Sequence, residues 1–251
     1  MYNKKDMKSF FVDGNNISGD TLKITGDEFF HLSKVLRAQS GEKIICLTGD
    51  EFDYVCELSK IEKNQAEAKL IEKKLNKCNP KIVIDVFQGL PKGEKAELIV
   101  QKITELGAST LIFFENDFTV AKIKSITKVD RLTKIAKEAC KQCGRSQPLN
   151  IKNPIKFSEI KNLLNDYDII LFFNENADEE CALKKLAEKL KTSKRIAVII
   201  GAEGGFSDKE SIIFNELSLK NLFNVSLGER ILRTETASIG AVAYISFLTG
   251  N

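Results

Sequence analysis

The sequence lacks the features that define several classes of protein. It contains one histidine, His31, and its six cysteines are scattered without the spacing of a disulfide framework or a zinc site. No apolar run approaches a membrane-spanning helix, which needs about 18 to 20 residues; the longest, residues 239–248, is interrupted by Ser246. Residues 1–8 are too polar for a secretory signal. We therefore expect a cytoplasmic protein with reduced cysteines, no bound metal and no membrane segment.

The sequence also lacks a strong excess of either charge. Lys and Arg number 38 against 35 Asp and Glu, so a nucleic-acid partner does not follow from the net charge of +3. Charge is nevertheless concentrated locally, because residues 119–156 contain ten basic and two acidic residues. Five of the basic residues recur every three or four positions and would share one helix face: Arg131, Lys134, Lys137, Lys141 and Arg145. This basic stripe favours phosphate contact, with an ordinary solvated helix face as the alternative.

Residues 10–75 show a pattern typical of a small β-barrel. Short strand-like segments alternate with turns that contain Gly, Asp or Asn. These segments are residues 21–24, 43–47, 54–58 and 65–70. One helix is predicted over residues 27–37, with Phe30, Val35 and Leu36 on its inner face.

After a linker at residues 76–80 the pattern changes to alternating strands and helices. Strands are predicted at residues 82–87, 110–114, 169–173, 196–200 and 222–227. Helices are predicted at residues 95–106, 129–143, 178–190 and 208–217 and from residue 234 onward. Such alternation predicts an α/β domain with a mostly parallel sheet covered on both faces. We therefore expect two domains, residues 1–76 and 80–251.

Two loops near the C-terminus follow predicted strands and precede predicted helices. The first, residues 201–206 (the glycine loop), contains three glycines and Glu203, and is followed by the capping-box pattern Ser207-x-x-Glu210. The second, residues 226–233 (the arginine loop), contains Glu229 beside two arginines. Neither loop has the spacing of a phosphate-binding or dinucleotide-binding motif, and a carboxylate disfavours phosphate. Both could be tight structural turns; as a ligand site they would suit S-adenosylmethionine, which combines a purine, a cationic centre, an amine and a carboxylate.

The motifs IGAEGGFSDKE at residues 200–210 and LGERILRTETA at residues 227–237 resemble the signature of the SPOUT methyltransferases. The resemblance is specifically to the bacterial family that methylates uridine N3 in 16S ribosomal RNA of the small subunit, and it extends to residues 31–37, 90–95, 101–107 and 138–145. It implies a PUA-like RNA-binding β-barrel followed by a methyltransferase domain with a deep trefoil knot, in a homodimer. Such a knot departs from the general rule that chains do not thread loops.

The resemblance also implies roles for particular residues. The cofactor S-adenosylmethionine is expected to contact Phe172, Phe173, Asn174, Gly201, Glu203, Gly204, Gly205, Leu227, Gly228, Ile231 and Leu232. Arg233 is expected to orient the target uracil or its phosphate and to act in catalysis. RNA contacts are expected from His31, Lys34, Arg37, Lys92, Arg131, Arg145 and Arg230, with a structural role as the alternative for His31 and plain surface charge as the alternative for Lys34 and Arg37.

The implied reaction is an in-line displacement, which depends mainly on alignment of methyl donor and acceptor. Arg233 or Arg230 would stabilise the uracil anion left when N3 loses its proton, whereas Glu229 and Glu235 are only weak candidates for a general base. The sequence departs from the family at Ala202, where proline is usual, and at residues 116–121, which lack an arginine-containing pattern. The alternatives are a SPOUT enzyme for another ribosomal or transfer RNA nucleotide and a non-catalytic RNA-binding factor in ribosome assembly.

Overall fold

The computed structural model describes residues 7–119, 129–174, 183–217 and 219–251. The chain forms two compact units. The first comprises Met1–Asn79 and Cys140–Pro148, and the second comprises Pro80–Ala139 and Leu149–Asn251. The division expected from the sequence follows chain order alone and differs in assigning residues 140–148 to the second domain.

The first unit is built on a mixed six-stranded sheet with the order β1-β4-β5-β6-β3-β2. The strands are β1 Ser9–Phe11, β2 Ile17–Ser18, β3 Thr21–Thr25, β4 Lys43–Leu47, β5 Phe52–Ile61 and β6 Gln65–Leu75. Only the β1–β4 pair is parallel. The four predicted strands are present, with β5 and β6 longer than predicted, and the two short strands β1 and β2 are additional. Phe10, Leu22, Ile24 and Ile44 are among the side chains of the buried cluster beneath this sheet.

The helix of the first unit changes its winding part-way. It begins as α1, Gly26–Phe30, and continues as a π-helical turn, His31–Val35, in which Leu36 N donates to His31 O over 3.0 Å. Phe29 and Leu32 are buried, and their spacing of three residues places them on one face of the helix. The prediction that Phe30 and Val35 face the core was wrong, since each is 61% exposed. The prediction for Leu36 was right, because it packs against the core.

Residues 140–148 are held to the rest of the first unit by buried polar contacts. The Asn76 amide donates to Asp53 Oδ1 over 2.7 Å and to Gly144 O over 2.9 Å. The Ser146 hydroxyl donates to Asp50 O over 2.6 Å. Because Asn76, Asp53 and Ser146 are all buried, these hydrogen bonds satisfy polar groups that have little access to water.

The second unit contains a six-stranded sheet with the order β12-β10-β11-β7-β8-β9. Its strands are β7 Val83–Gly89, β8 Thr110–Glu115, β9 Asn150–Lys156, β10 Ile169–Phe173, β11 Arg195–Ile200 and β12 Leu222–Val225. Every pairing is parallel, which confirms the predicted parallel sheet. The sequence did not predict β9, which lies at the sheet edge, is largely unburied and contains Pro154, a residue that sheets tolerate at their edges.

Among the described residues, five α-helices belong to or begin in the second unit. They are α2 Lys95–Glu105, α3 Val129–Cys143, α4 Ala187–Thr192, α5 Asp208–Glu216 and α6 Thr234–Thr249. The helix predicted at residues 178–190 lies partly outside the described residues; its described part is a 3₁₀ turn, Leu183–Leu186, followed by α4. None of the helices in the described part of the chain combines the length and hydropathy needed to cross a membrane.

Apolar side chains cover both faces of the parallel sheet. Successive strand residues point to opposite faces, so Val86 lies in one buried cluster and Phe87 in the other. The first cluster includes Ile99 of α2 and Val242 of α6. The second includes Phe214 of α5. Burial on both faces explains why β10 is a continuous apolar run rather than an alternating one.

We predict that Phe214→Ala lowers the free energy of unfolding by about 3–5 kcal/mol, because it leaves a cavity in the second cluster. Phe214 is 1% exposed, and its ring centroid lies 4.6 Å from that of Phe172 and 5.1 Å from that of Phe157. Urea unfolding followed by circular dichroism measures the change. Ile212→Ala is the control on the same helix, because Ile212 is 53% exposed. If both substitutions lowered the free energy of unfolding by the same amount, the result would contradict the buried position of Phe214.

Candidate functional site

A cavity of about 150 Å³, open to solvent on one side, lies where strands β10, β11 and β12 of the second unit end. Ligands of open parallel sheets bind at this edge, because the loops that follow the strands converge there. Nine of the eleven residues expected to contact a cofactor line the cavity. They are Phe173, Asn174, Gly201, Glu203, Gly205, Leu227, Gly228, Ile231 and Leu232.

The other two, Phe172 and Gly204, lie outside the lining. Phe172 is fully buried and points to the opposite sheet face from Phe173, where its ring centroid lies 4.4 Å from that of Phe206. Gly204 packs against Phe118, since a Cβ added to Gly204 would lie 2.8 Å from Phe118 Cβ. Phe172 therefore supports the wall from behind through Phe206, whereas Gly204 is exposed beside the cavity.

The glycine loop folds back on itself tightly. Ala202 and Gly205 form an isolated antiparallel bridge in which Gly205 N donates to Ala202 O over 3.0 Å. Gly205 has a φ of +68°, a conformation that L side chains rarely adopt. A Cβ on Gly201 would lie 2.9 Å from the Gly205 backbone. The turn therefore requires glycine at 201 and favours it at 205.

A buried polar network joins the end of β7 to the glycine loop and to α6. The Gln88 amide donates to Thr234 Oγ1 over 2.8 Å, and the Thr234 hydroxyl donates to Gly201 O over 2.6 Å. The Ser238 hydroxyl donates to Gln88 Oε1. Sequence reasoning did not identify these residues. The available signal was Gln88 itself, a polar residue at the end of an apolar strand that is fully buried.

Glu203 is held by two donors from the segment after β7. Lys92 N donates to Glu203 Oε1 over 3.0 Å, and Lys95 Nζ lies 3.0 Å from the same oxygen. Lys95 Nζ also lies 3.5 Å from Glu235 Oε2 in the first turn of α6. Burial would raise the pKa of Glu203, but these donors outweigh it and hold the pKa below its ordinary value. The Lys92 side chain, expected to contact RNA, is exposed.

The start of α5 is fastened to the turn after β8. The capping box predicted from the sequence is confirmed, with Glu210 N donating to Ser207 Oγ over 3.3 Å and Ser207 N donating to Glu210 Oε2 over 2.9 Å. The Asn116 amide donates to Gly205 O over 2.8 Å, and Asp117 N donates to Glu210 Oε1 over 3.0 Å. These hydrogen bonds therefore also support the glycine loop from the turn after β8. Three of the ten basic residues counted within residues 119–156, namely Lys122, Lys124 and Lys128, lie outside the described residues.

Both arginines of the arginine loop are exposed. Arg230 lines the cavity, and Arg233 is the N-cap residue of α6. Neither guanidinium forms an ion pair within the described part of the chain. The loop therefore presents positive charge to solvent at the mouth of a cavity that also contains Glu203 and Glu229.

Of the remaining residues expected to bind RNA, one packs against an aromatic ring, one is buried, one forms an ion pair at the surface, and the other two are exposed. In the first unit, His31 packs edge-on against Phe10 at 6.2 Å, whereas Lys34 and Arg37 are exposed. Arg145 is 3% exposed, and burial lowers its pKa, so it offers little surface to RNA. In the second unit, Arg131 Nη2 lies 2.8 Å from Glu97.

Comparisons with known proteins identify the family. A model described as an RNA methyltransferase domain matches residues 77–246, and one described as an RNA methyltransferase PUA domain matches residues 24–71. Ribosomal RNA small subunit methyltransferase E of Bacillus subtilis is 33% identical to this chain over 235 residues, which cover 91% of each protein. The chain belongs to this RNA methyltransferase family. The family resemblance predicted from the sequence is thus confirmed.

Further relatives of this methyltransferase support the same assignment. Ribosomal RNA small subunit methyltransferase E of Buchnera aphidicola is 30% identical over 254 residues, covering 99% of this chain and 96% of that protein. Among solved structures, the protein of the same name from Neisseria gonorrhoeae, bound to S-adenosyl methionine, is 25% identical with a TM-score of 0.83. That alignment covers 96% of this chain and 98% of the other. The similarity therefore includes both units of the methyltransferase.

We predict that Thr234→Val lowers the free energy of unfolding by about 1–3 kcal/mol. The substitution keeps the side-chain volume but removes the hydroxyl shared by Gln88 and Gly201, leaving buried polar groups without this partner. Thr236→Val is the matched control, because Thr236 is exposed in the same helical turn and should change stability by less than about 0.5 kcal/mol. Urea unfolding decides the comparison. An equal effect of both substitutions would mean that the network does not stabilise the fold.

Proposed function

We propose that this protein transfers the methyl group of S-adenosylmethionine to N3 of a uridine in 16S ribosomal RNA. The observation that carries the proposal is the cavity at the strand ends, whose lining contains nine of the residues that the family resemblance implies for the cofactor. The Neisseria gonorrhoeae relative, bound to S-adenosyl methionine, supports the choice of cofactor.

The chemistry of the lining fits this cofactor. Phe173, Val225 and Leu227 supply apolar surface for an adenine ring, and the glycine loop exposes backbone that can approach closely. The carboxylates of Glu203 and Glu229 suit a ligand with an ammonium group and a sulfonium centre. When bound, the cofactor would supply an electrophilic methyl group.

The two arginines carry the positive charge that the uracil acceptor requires. Uracil N3 must lose its proton before it attacks the methyl group, and a nearby cation stabilises the resulting anion. Arg233 is our choice for this role, since it is exposed beside the cavity and its guanidinium has no ion pair within the described residues. Arg230 is available for phosphate contact at the cavity itself.

RNA binding would use further exposed cations of each unit. Lys34 and Arg37 project from the first unit, next to the exposed Phe30 and Val35. Lys92 is exposed in the second unit. Cations of this kind bind phosphates, and apolar side chains among them can contact unstacked bases. The partner proposed here is the small ribosomal subunit or its RNA.

We also propose that the protein is a homodimer and that its C-terminal segment is knotted. Ile239, Gly240, Ala243 and Phe247 share a face of α6 opposite its buried side, and Phe247 is 82% exposed. A large apolar side chain beside small residues is typical of a helix packed in an interface. For the knot, the contacts of β7 with the glycine loop and α6 provide the support.

The enzymatic proposal predicts methylation of small ribosomal subunits that lack the modification, with N3-methyluridine identified by nucleoside mass mapping. Arg233→Ala should lower kcat by about 10²–10³-fold, with the Kd for S-adenosylmethionine, measured by isothermal titration, changed less than about threefold. Lys209→Ala, an exposed substitution on α5, is the control and should retain activity.

Unchanged turnover in Arg233→Ala would refute its role. A different methylated nucleoside would indicate an enzyme of the same architecture with another target. Absence of both methylation and cofactor binding would refute the enzymatic proposal and favour an RNA-binding assembly factor.

The dimer proposal predicts that Phe247→Glu raises the dimer dissociation constant at least about tenfold, because it places a charge in an apolar interface. Analytical ultracentrifugation over a concentration series measures the change. Phe30→Glu is the control, since Phe30 is an exposed phenylalanine of the first unit. A monomeric unsubstituted protein, or a dimer insensitive to Phe247→Glu, would refute the proposal.

A further inference from the structure

We propose that Lys95 sets how strongly the cavity prefers the cationic methyl donor over its neutral demethylated product. The inference rests on the proposed function and concerns a residue that does not itself line the cavity. Lys95 acts through Glu203, which does line it, and is therefore a specificity-determining residue rather than a catalytic one.

The geometry places one ammonium group between two carboxylates from separate segments. Lys95 opens α2, Glu203 lies in the glycine loop, and Glu235 lies in the first turn of α6. The ammonium lies 3.0 Å from Glu203 and 3.5 Å from Glu235. The three side chains carry a formal charge of −1. Without Lys95 the two carboxylates would carry −2.

The cluster is sheltered from solvent enough to act on a neighbouring ligand. The side chains of Lys95, Glu203 and Glu235 are 30%, 28% and 12% exposed. Salt screens partly buried charges less than fully exposed ones. The hydrogen bond to Glu203 raises the pKa of Lys95, and the pKa of Glu203 is held low, so both groups stay charged at neutral pH.

The two ligands differ mainly in charge. In the donor, sulfur carries three carbon substituents and a positive charge. In the transfer the S–CH₃ bond breaks, its electron pair stays on sulfur, the methyl group bonds to uracil N3, and the N3 proton passes to solvent. The product is a neutral thioether. A more negative cavity wall therefore favours the donor over the product, and Lys95 offsets part of that preference.

The quantity to measure is the dissociation constant of the product, S-adenosylhomocysteine, divided by that of the donor, S-adenosylmethionine. Isothermal titration at low ionic strength gives both constants. Lys95→Met and Lys95→Gln should raise the ratio about three- to tenfold, because they uncover one negative charge near the cavity. Lys95→Arg keeps the cation and should keep the ratio. Glu203→Gln should lower it, and Lys95→Met combined with Glu203→Gln should return it towards the original value.

A purely structural role for Lys95 would weaken both ligands in parallel and leave the ratio unchanged. Lys102→Met is the matched control, since Lys102 pairs with Glu105 on the same helix and neither residue lines the cavity. An unchanged ratio in both Lys95→Met and Lys95→Gln, with both ligands still bound, would overturn this inference and leave the proposed function intact. Failure of the unsubstituted protein to bind either ligand would overturn both.

Discussion

The end of β7 lies so close to the glycine loop that no side chain fits between them. A Cβ on Gly89 would lie 2.2 Å from Ala202 N, which no real contact allows. The neighbouring Gln88 then connects this crossing to α6 through Thr234 and Ser238. Because three segments meet here in close backbone contact and through buried hydrogen bonds, the glycine loop is supported by both β7 and α6, and support of this kind favours the alignment of two reactants.

Charge in the second unit is distributed unevenly between the two loops. The carboxylate of the glycine loop is tied down by Lys92 N and Lys95, whereas the guanidinium groups of Arg230 and Arg233 face solvent. Because the Glu203 carboxylate is fixed by these donors, it presents a negative charge at a defined position to a small cationic ligand. The guanidinium groups of Arg230 and Arg233 can adjust their positions to contact a large anionic ligand. The proposed cofactor and the proposed RNA would thus use opposite charges on adjoining parts of one site.

Local signals in the sequence predicted most of the strands and helices of the second unit. They predicted few of the contacts that support its cavity. The apolar run of β10 and the Ser207–Glu210 capping box were read correctly because each depends on neighbours in the chain. The edge strand β9 has no such signal. The predicted inner face of the first-unit helix failed at Phe30 and Val35, because the face that packs inward carries Phe29 and Leu32 instead.

The sequence by itself determined the family, the parallel sheet, the glycine and arginine loops and nine residues of the cavity lining. The parallel sheet and the two loops follow from periodicities and motifs that are local in the chain, whereas the family and the nine lining residues follow from the resemblance of those motifs to known methyltransferases. Only the tertiary structure decided that Phe172 and Gly204 lie outside the cavity lining, that Arg145 is buried, and that Gln88 and Lys95 join the glycine loop to α6. Each of these depends on contacts between segments far apart in sequence, which residue spacing along one segment does not encode.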